Sequence, residues 1–358
     1  MDDETARYQI RGRAAGSNHS GRYERHAREV IDDGWARDEE LPVLRTQTRI
    51  EVPRKMISYN RSPDLPFDRS INPYRGCEHG CVYCFARPSH AYLGLSPGLD
   101  FETQLVARPD APEVLKRELA AKKYKVAPIA IGTNTDPYQP IEQKHGIMRA
   151  CLEVLADAGH PVAIVTKGSL IERDIDILAP MARRGLVRVG ISVTTLDNRL
   201  SRLMEPRAPA PQRRLQIIRR LSEAGIPVRI MASPMIPALT DPEMEAILAA
   251  GRKVGARTAS WIMLRLPKEV SPLVQEWLAQ HYPDRAERIM SRLREMHGGK
   301  VYDATWHRRM RGEGPYAEMV AQRFKVAVKR LGLRTDAPPM RCDLFRPPVL
   351  QGAQMSLF

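Results

Sequence analysis

Cysteine is scarce in this chain, with 5 in 358 residues. That is too few for an extracellular disulfide framework. No run approaches the roughly 18 apolar residues of a membrane span, so no membrane association is expected. The opening MDDETARYQIRGR turns from acidic to basic without an apolar stretch. No secretory leader is expected there, and the expected location is cytoplasmic. Collagen-like and acidic disordered compositions are also excluded. Apolar residues make up 43% and charged residues 27%, the balance of a folded soluble chain. At roughly 100–200 residues per domain, this length allows one large domain with appendages or two ordinary ones.

What is plentiful is positive charge: 56 Lys and Arg against 42 Asp and Glu, a formal +14. Residues 1–50 carry nine Arg and ten acids, so they are not a basic tail. The excess lies in 201–230, with a net +5, and in 278–334, with a net +7, both of which read as helical. A solubilising surface and a nucleic-acid footprint account for it equally well.

Residues 1–55 lack apolar periodicity and read as an irregular arm, with one short helix near 24–33. Beyond residue 70, short β-branched runs alternate with amphipathic stretches. Strands are expected at 70–74, 126–132, 161–166, 186–193, 226–232 and 258–264, and helices at 112–123, 140–158, 171–184, 211–224 and 241–254. Such a β–α repeat argues for a parallel sheet with helices outside it. Six strands are too few for a closed eight-stranded barrel, and an open partial barrel and a doubly wound sheet both fit the pattern. The expected divisions are a core over 56–275, a helical extension over 276–334 and a flexible Pro-rich tail over 335–358.

Three of the five cysteines fall within eight residues: Cys77, Cys81 and Cys84, in NPYRGCEHGCVYCFARPSH. Thiols at C-x3-C-x2-C spacing point to one metal centre. Zinc would take a fourth ligand, for which His79 and His90 are at hand. A [4Fe–4S] cluster would leave one iron open. The spacing alone leaves both standing. Gly76 and Gly80 give this loop the freedom to wrap a cluster.

C-x3-C-x-aromatic-C, with Tyr83 as the aromatic, resembles the signature of radical S-adenosylmethionine (SAM) enzymes. The wider run resembles the branch containing spore photolyase and the DNA repair photolyase-like proteins. Further matches are TNTDPYQPIE (133–142), TKGS (166–169), GISVTTLD (190–197), EPRAPAP (205–211) and AGIPVRIMASPMIP (224–237). The resemblance covers roughly residues 60–300. It implies an α/β fold with a partial (β/α)6 barrel, and an enzyme that binds a [4Fe–4S] cluster and cleaves SAM to a 5′-deoxyadenosyl radical. An electron donor such as flavodoxin or ferredoxin would supply the electron.

Carried over residue by residue, the resemblance makes Cys77, Cys81 and Cys84 the cluster ligands and places Tyr83 beside the adenine. Asn134, Thr135 and Asp136 would hold the methionine amino group. Lys167 and Arg207 are both placed to meet its carboxylate. Ser192 would contact the ribose, and the backbone around Ala232 and Ser233 would line the adenine. Each has a plainer reading: Asp136 as a helix cap, Lys167 as a solvated turn residue, Ser192 as a satisfied core hydroxyl, and Arg207 paired with Glu205 on the surface.

One departure matters. Spore photolyase carries a hydrogen-donating cysteine two or three residues before its equivalent of Asp136, and here those positions are Thr133 and Asn134. Cys151 reads as a core residue and Cys342 lies in the tail, while Tyr74 and Tyr138 are candidate donors that nothing in the sequence selects. The expected substrate is a nucleic acid, with DNA favoured and repair of damage as its role. Modification of RNA or protein is the alternative within the family, and a zinc-stabilised, non-catalytic nucleic-acid-binding protein is the alternative outside it. The chain finishes QMSLF, which resembles the bacterial sliding-clamp-binding peptide, with Leu357 and Phe358 as anchors and Gln354 hydrogen-bonding.

Overall fold

The alternating apolar and amphipathic stretches fold into parallel strands joined by helices that pack back on them. The computed structural model describes residues 12–24 and 44–350. Its strands are β1 (Gln47–Ile50), β2 (Ser58–Tyr59), β3 (Arg69–Ile71), β4 (Tyr74–Arg75), β5 (Gln104–Ala107), β6 (Ile129–Ile131), β7 (Val162–Thr166), β8 (Val187–Ser192), β9 (Val228–Met235) and β10 (Thr258–Met263). The main sheet has the order β10-β9-β8-β7-β6-β3-β2. Every pairing from β3 to β10 is parallel, and the two-residue β2 closes one edge antiparallel to β3. This is the expected α/β architecture of a six-stranded, open (β/α)6 barrel. Its far edge is blunted where Arg334 bridges Thr258, which denies a second chain that edge.

The interior strands are mostly apolar, as buried parallel strands are, apart from a half-buried arginine in each of β8 and β9, Arg188 and Arg229. Each helix contributes one stripe. In Ile147–Asp157 the buried residues are Ile147, Met148, Cys151, Leu152 and Leu155, a helical spacing in which each large aliphatic contributes about 1.5–3 kcal/mol on burial. The single helix expected over 140–158 is instead two, Glu142–His145 and Ile147–Asp157, because Gly146 turns left-handed at φ +64 between them. Two other expected helices, 171–184 and 241–254, begin as 3-10 turns.

A second sheet, β1-β5-β4, escaped the sequence reading because its strands are four, four and two residues long. It carries the cysteine loop, which leaves β4 directly. The C-terminal region holds three helices, Val270–His281, Pro283–Met296 and Gly314–Arg330. The Pro-rich stretch from 335 is extended to residue 350, yet it is docked rather than loose. Arg341 N–H donates to Gly185 O and Arg346 N–H to Ala158 O, and the Phe345 ring stands edge-on to His160 at 5.4 Å. It crosses the ends of helices opposite the strand ends that form the site. Most of the helix expected near 24–33, and the QMSLF motif, lie outside the described residues.

Strand register brings the chemistry together. Ile131 pairs with Ile164, Thr166 with Ile191, and Ser192 with Met231. The segments after β6, β7 and β8 therefore emerge side by side. Gly132 is where β6 turns out of the sheet. Its φ is +88, and a Cβ there would lie 1.9 Å from Val165 O. Gly132→Ala should cost about 3 kcal/mol and lower the Tm by roughly 5–10 °C. Gly225→Ala isolates the backbone strain, because Gly225 is also left-handed (φ +77) but has nothing within 4 Å. Equal Tm values for the two variants would refute the close approach of β6 to β7.

Candidate active site

The cysteine loop is held from beneath by a buried ion pair. Arg87 and Glu102 are both fully inaccessible and meet at 2.5 Å. Arg87 places its Nε on Cys81 O at 2.9 Å, Nη1 on Pro97 O and Gly98 O, and Nη2 on Gly80 O as well as Glu102. All five of its N–H donors are satisfied. Glu102 also accepts the Ala14 and Ala15 N–H groups, so the 12–15 segment is tied to the same pair. Gly80 is required at this contact, since a Cβ there would meet Glu102 Oε2 at 2.6 Å.

A second buried pair supports the other side. Arg214 and Glu205 are both fully inaccessible. Arg214 also donates to Pro209 O at 2.7 Å and to Ser192 O at 3.2 Å, pinning the end of β8. Glu205 accepts the Tyr83 hydroxyl and the Thr194 hydroxyl, the latter at 2.9 Å. Burial works to raise the Glu205 carboxyl, but Arg214 and Lys167 outweigh it and hold it at about 2. Burial, with the Glu205 carboxylate beside it, pushes the Tyr83 phenol well up, so the phenol is a donor here.

Between these supports lies a cavity of about 180 Å³, lined among others by Cys77, Cys81, Cys84, Tyr83, Asn134, Thr135, Asp136, Lys167, Ser192 and Ser233. Ten of the twelve barrel residues expected at the site thus border one space. The other two do not. Ala232 is fully buried in the core, behind Ser233. Arg207 pairs with Glu78 at 2.6 Å rather than with Glu205, and lines a neighbouring groove of about 800 Å³. His79 borders both spaces.

Asp136 is fully engaged. Its Oδ1 accepts from Tyr138 N at 2.9 Å and Thr166 Oγ1 at 2.6 Å, and its Oδ2 from Lys167 N at 2.8 Å. His79 Nδ1 stands 3.3 Å from the same Oδ2. Burial works to raise this carboxyl, but His79 and the hydrogen bonds prevail and hold it at about 2. Lys167 Nζ is 3.9 Å from Glu205 and 5.8 Å from the Tyr83 ring centre. The candidate hydrogen donors fall elsewhere: Tyr74 is bonded to Glu142, and Tyr138 is buried beside the neighbouring groove; Cys151 is fully buried in its helix, as expected. Thr133 and Asn134 do line the cavity.

The donor set fits an iron–sulfur cluster. All three thiols are free. Among the described residues no three His, Cys, Asp or Glu side chains gather as ligands of a single ion. A cubane takes its thiolates on three different irons. His90, one candidate fourth ligand for zinc, is fully buried and does not line the cavity. Burial pushes the Cys81 thiol up to about 12 and the Cys77 thiol upward too, so a metal's charge is needed to ionise them.

A profile of the radical SAM superfamily matches residues 71–250. The chain belongs to that superfamily. It is an enzyme of the radical SAM class, whose cofactors are a [4Fe–4S] cluster and SAM. An uncharacterized protein of Mycobacterium tuberculosis is 37% identical over 280 residues, 77% of this chain and 78% of that one. One of Methanocaldococcus jannaschii is 26% identical over 222 residues, 62% of this chain and 79% of its own. Among solved structures, spore photoproduct lyase complexed with dinucleoside spore photoproduct shares the fold, with a TM-score of 0.57 at 15% identity over 80% of this chain and 81% of that one. A variant of that lyase with bound AdoMet and dinucleoside spore photoproduct gives 0.53 at 14% identity, with the same coverage. No helix among the described residues is long and apolar enough to cross a membrane.

Sequence reasoning missed Arg87, Glu102, Glu205, Thr194 and Arg214. Glu205 and Thr194 lay inside quoted motifs, but their partners are 122 and 111 residues away at Tyr83, and nothing local announces such pairs. Arg87→Met should leave the Glu102 charge unpaired and cost about 3–5 kcal/mol. Iron retained after reconstitution should fall with it. Arg87→Lys should not rescue, since one ammonium cannot serve the same five acceptors. Full iron content and an unaltered Tm in Arg87→Met would contradict this role.

Proposed function

We propose that this protein uses the radical SAM reaction on a nucleic acid, with damaged DNA as the favoured substrate. One observation carries the reading: the cysteine loop and the ends of β6, β7, β8 and β9 border a single cavity. In it Cys77, Cys81 and Cys84 hold the cluster. Asn134, Thr135 and Asp136 face the methionine amino group, and Lys167 supplies the cation for its carboxylate. Tyr83 packs by the adenine, Ser192 meets the ribose and the backbone at Ser233 completes the wall. Arg207 acts indirectly, by fixing Glu78 in the cysteine loop. When bound, the cluster and SAM supply a hydrogen-abstracting radical; the chain's part is to orient them and exclude water. Residues 56–275 form the catalytic unit in this reading, with 276–334 as a helical extension.

The dinucleoside bound by the similar lyase supports a nucleic-acid substrate, and the +14 balance is compatible with a polyanion without selecting one. Spore-photoproduct repair itself is not proposed, because Thr133 and Asn134 stand where spore photolyase has its donor cysteine. An acidic one-electron carrier of the flavodoxin or ferredoxin kind is the proposed reductant.

Reconstituted anaerobically, the protein should bind iron and sulfide and release 5′-deoxyadenosine from SAM under reduction, faster with ultraviolet-damaged DNA. Cys81→Ala should lose the iron and the product together. Zinc in place of iron in the reconstituted protein, with no SAM cleavage, would sink the proposal. For the terminal QMSLF, which lies outside the described residues, we propose sliding-clamp binding. Removal of 354–358 should abolish clamp capture in a pull-down and leave iron content unchanged, whereas capture that survives the truncation would refute it.

A further inference from the structure

Besides the three thiols and the Tyr83 phenol, four ionisable side chains line the cavity, and three have counter-charges: His79 and Asp136 face each other, and Lys167 faces Glu205. Arg265 is the fourth. Among the described residues it has no acidic partner, and its Nε is shut off from water without an acceptor. Its one hydrogen bond is a long 3.4 Å contact from Nη2 to the Tyr302 hydroxyl. The guanidinium lies 4.8 Å from the centre of the Phe85 ring. Phe85 follows Cys84 directly, lines the same cavity, and is 46% exposed. A partly buried cation without a counter-charge is costly unless a ligand supplies the anion. An exposed ring with one face already covered by a guanidinium offers its other face for stacking.

We propose that Arg265 and Phe85 grip the substrate strand: Arg265 takes a backbone phosphate and Phe85 stacks on the base next to it. This rests on the nucleic-acid reading above and names where that substrate is held. Placement distinguishes the phosphate from the other anion available, the carboxylate of SAM. Lys167 directly follows β7, while Arg265 follows β10, three strands away at the edge of the sheet. That edge is where the barrel is open, and a polymer can lie across it. Guanidinium suits phosphate because it presents two parallel donors. Stacking on an aromatic ring tolerates any base, so the pair would locate the strand without reading its sequence.

The test is fluorescence anisotropy with a labelled, ultraviolet-irradiated single-stranded oligothymidine, titrated at several salt concentrations against reconstituted full-length protein. Arg265→Gln should raise the Kd about tenfold or more and make the slope of log affinity against log salt shallower by about 0.7, the value for one lost phosphate contact on a single strand. Phe85→Ala should raise the Kd fivefold or more with the slope unchanged. Arg265→Lys keeps the charge and should keep the slope. Iron content equal to wild type establishes that each variant has folded. An unchanged slope in Arg265→Gln overturns the proposal. So does a variant in which SAM binding weakens while the oligonucleotide slope holds, since Arg265 would then serve the SAM carboxylate. If the wild-type protein fails to bind the oligonucleotide at all, the nucleic-acid reading fails first and this one with it.

Discussion

Arg87 is a cation with no access to water, and its five N–H groups are the only thing that makes its position tolerable. Four of them go to main-chain carbonyls at Gly80, Cys81, Pro97 and Gly98, and the fifth goes to Glu102. The cysteine loop cannot change shape without stranding that charge, so a loop of non-repetitive backbone behaves as a rigid part. Burying such a pair is not in itself a gain in stability over apolar packing. What it supplies is geometry, because a planar fork accepts few arrangements of acceptors. Cluster ligands need that kind of fixing more than they need stability, and here Cys81 is positioned through its own carbonyl.

The same device recurs at Glu205 and Arg214, with a different result. There the pair joins the end of β8 to the turn that follows helix Asn198–Met204, and reaches Tyr83 in the cysteine loop through the carboxylate. Two parts of the chain more than a hundred residues apart are thereby set at fixed distances across the cavity. Asp136 does similar work between β6 and β7, its carboxylate spanning Thr166, the Lys167 N–H and His79. It does cap a turn, through Tyr138 N, and it also borders the cavity.

The barrel was legible because it is written in local patterns: β-branched runs for strands, apolar stripes for helices, and glycines after them. The cysteine triad was legible because its three thiols fall within eight residues of one loop. What escaped was whatever depends on contacts between distant segments. The sheet β1-β5-β4 has strands too short for alternation to register, and β1 is mostly exposed. The Pro-rich tail was expected to be free because its composition forbids a helix. Composition does not reveal that Arg341 and Arg346 find open carbonyls at Gly185 and Ala158, where two helices end. Arg207 was assigned to SAM from its motif, and the motif holds no sign that Glu78, in the cysteine loop, would claim it.

Net charge is the place where sequence and structure diverge most. The basic excess in 201–230 and 278–334 looked like a surface for a polyanion. Much of it is already spoken for: Arg213 and Arg220 share Glu172, Arg323 meets Asp241 and Glu245, and Arg292, Arg294 and Arg308 each have a glutamate. Exposed pairs of this kind are weak and screened by salt, yet they flatten the local field that would attract a ligand. An arginine that matters for recognition is one that folding leaves without a partner while removing it from water. By that measure a total of +14 is a poor guide, and it does not reveal Arg265, which lines the cavity and has no acidic partner among the described residues.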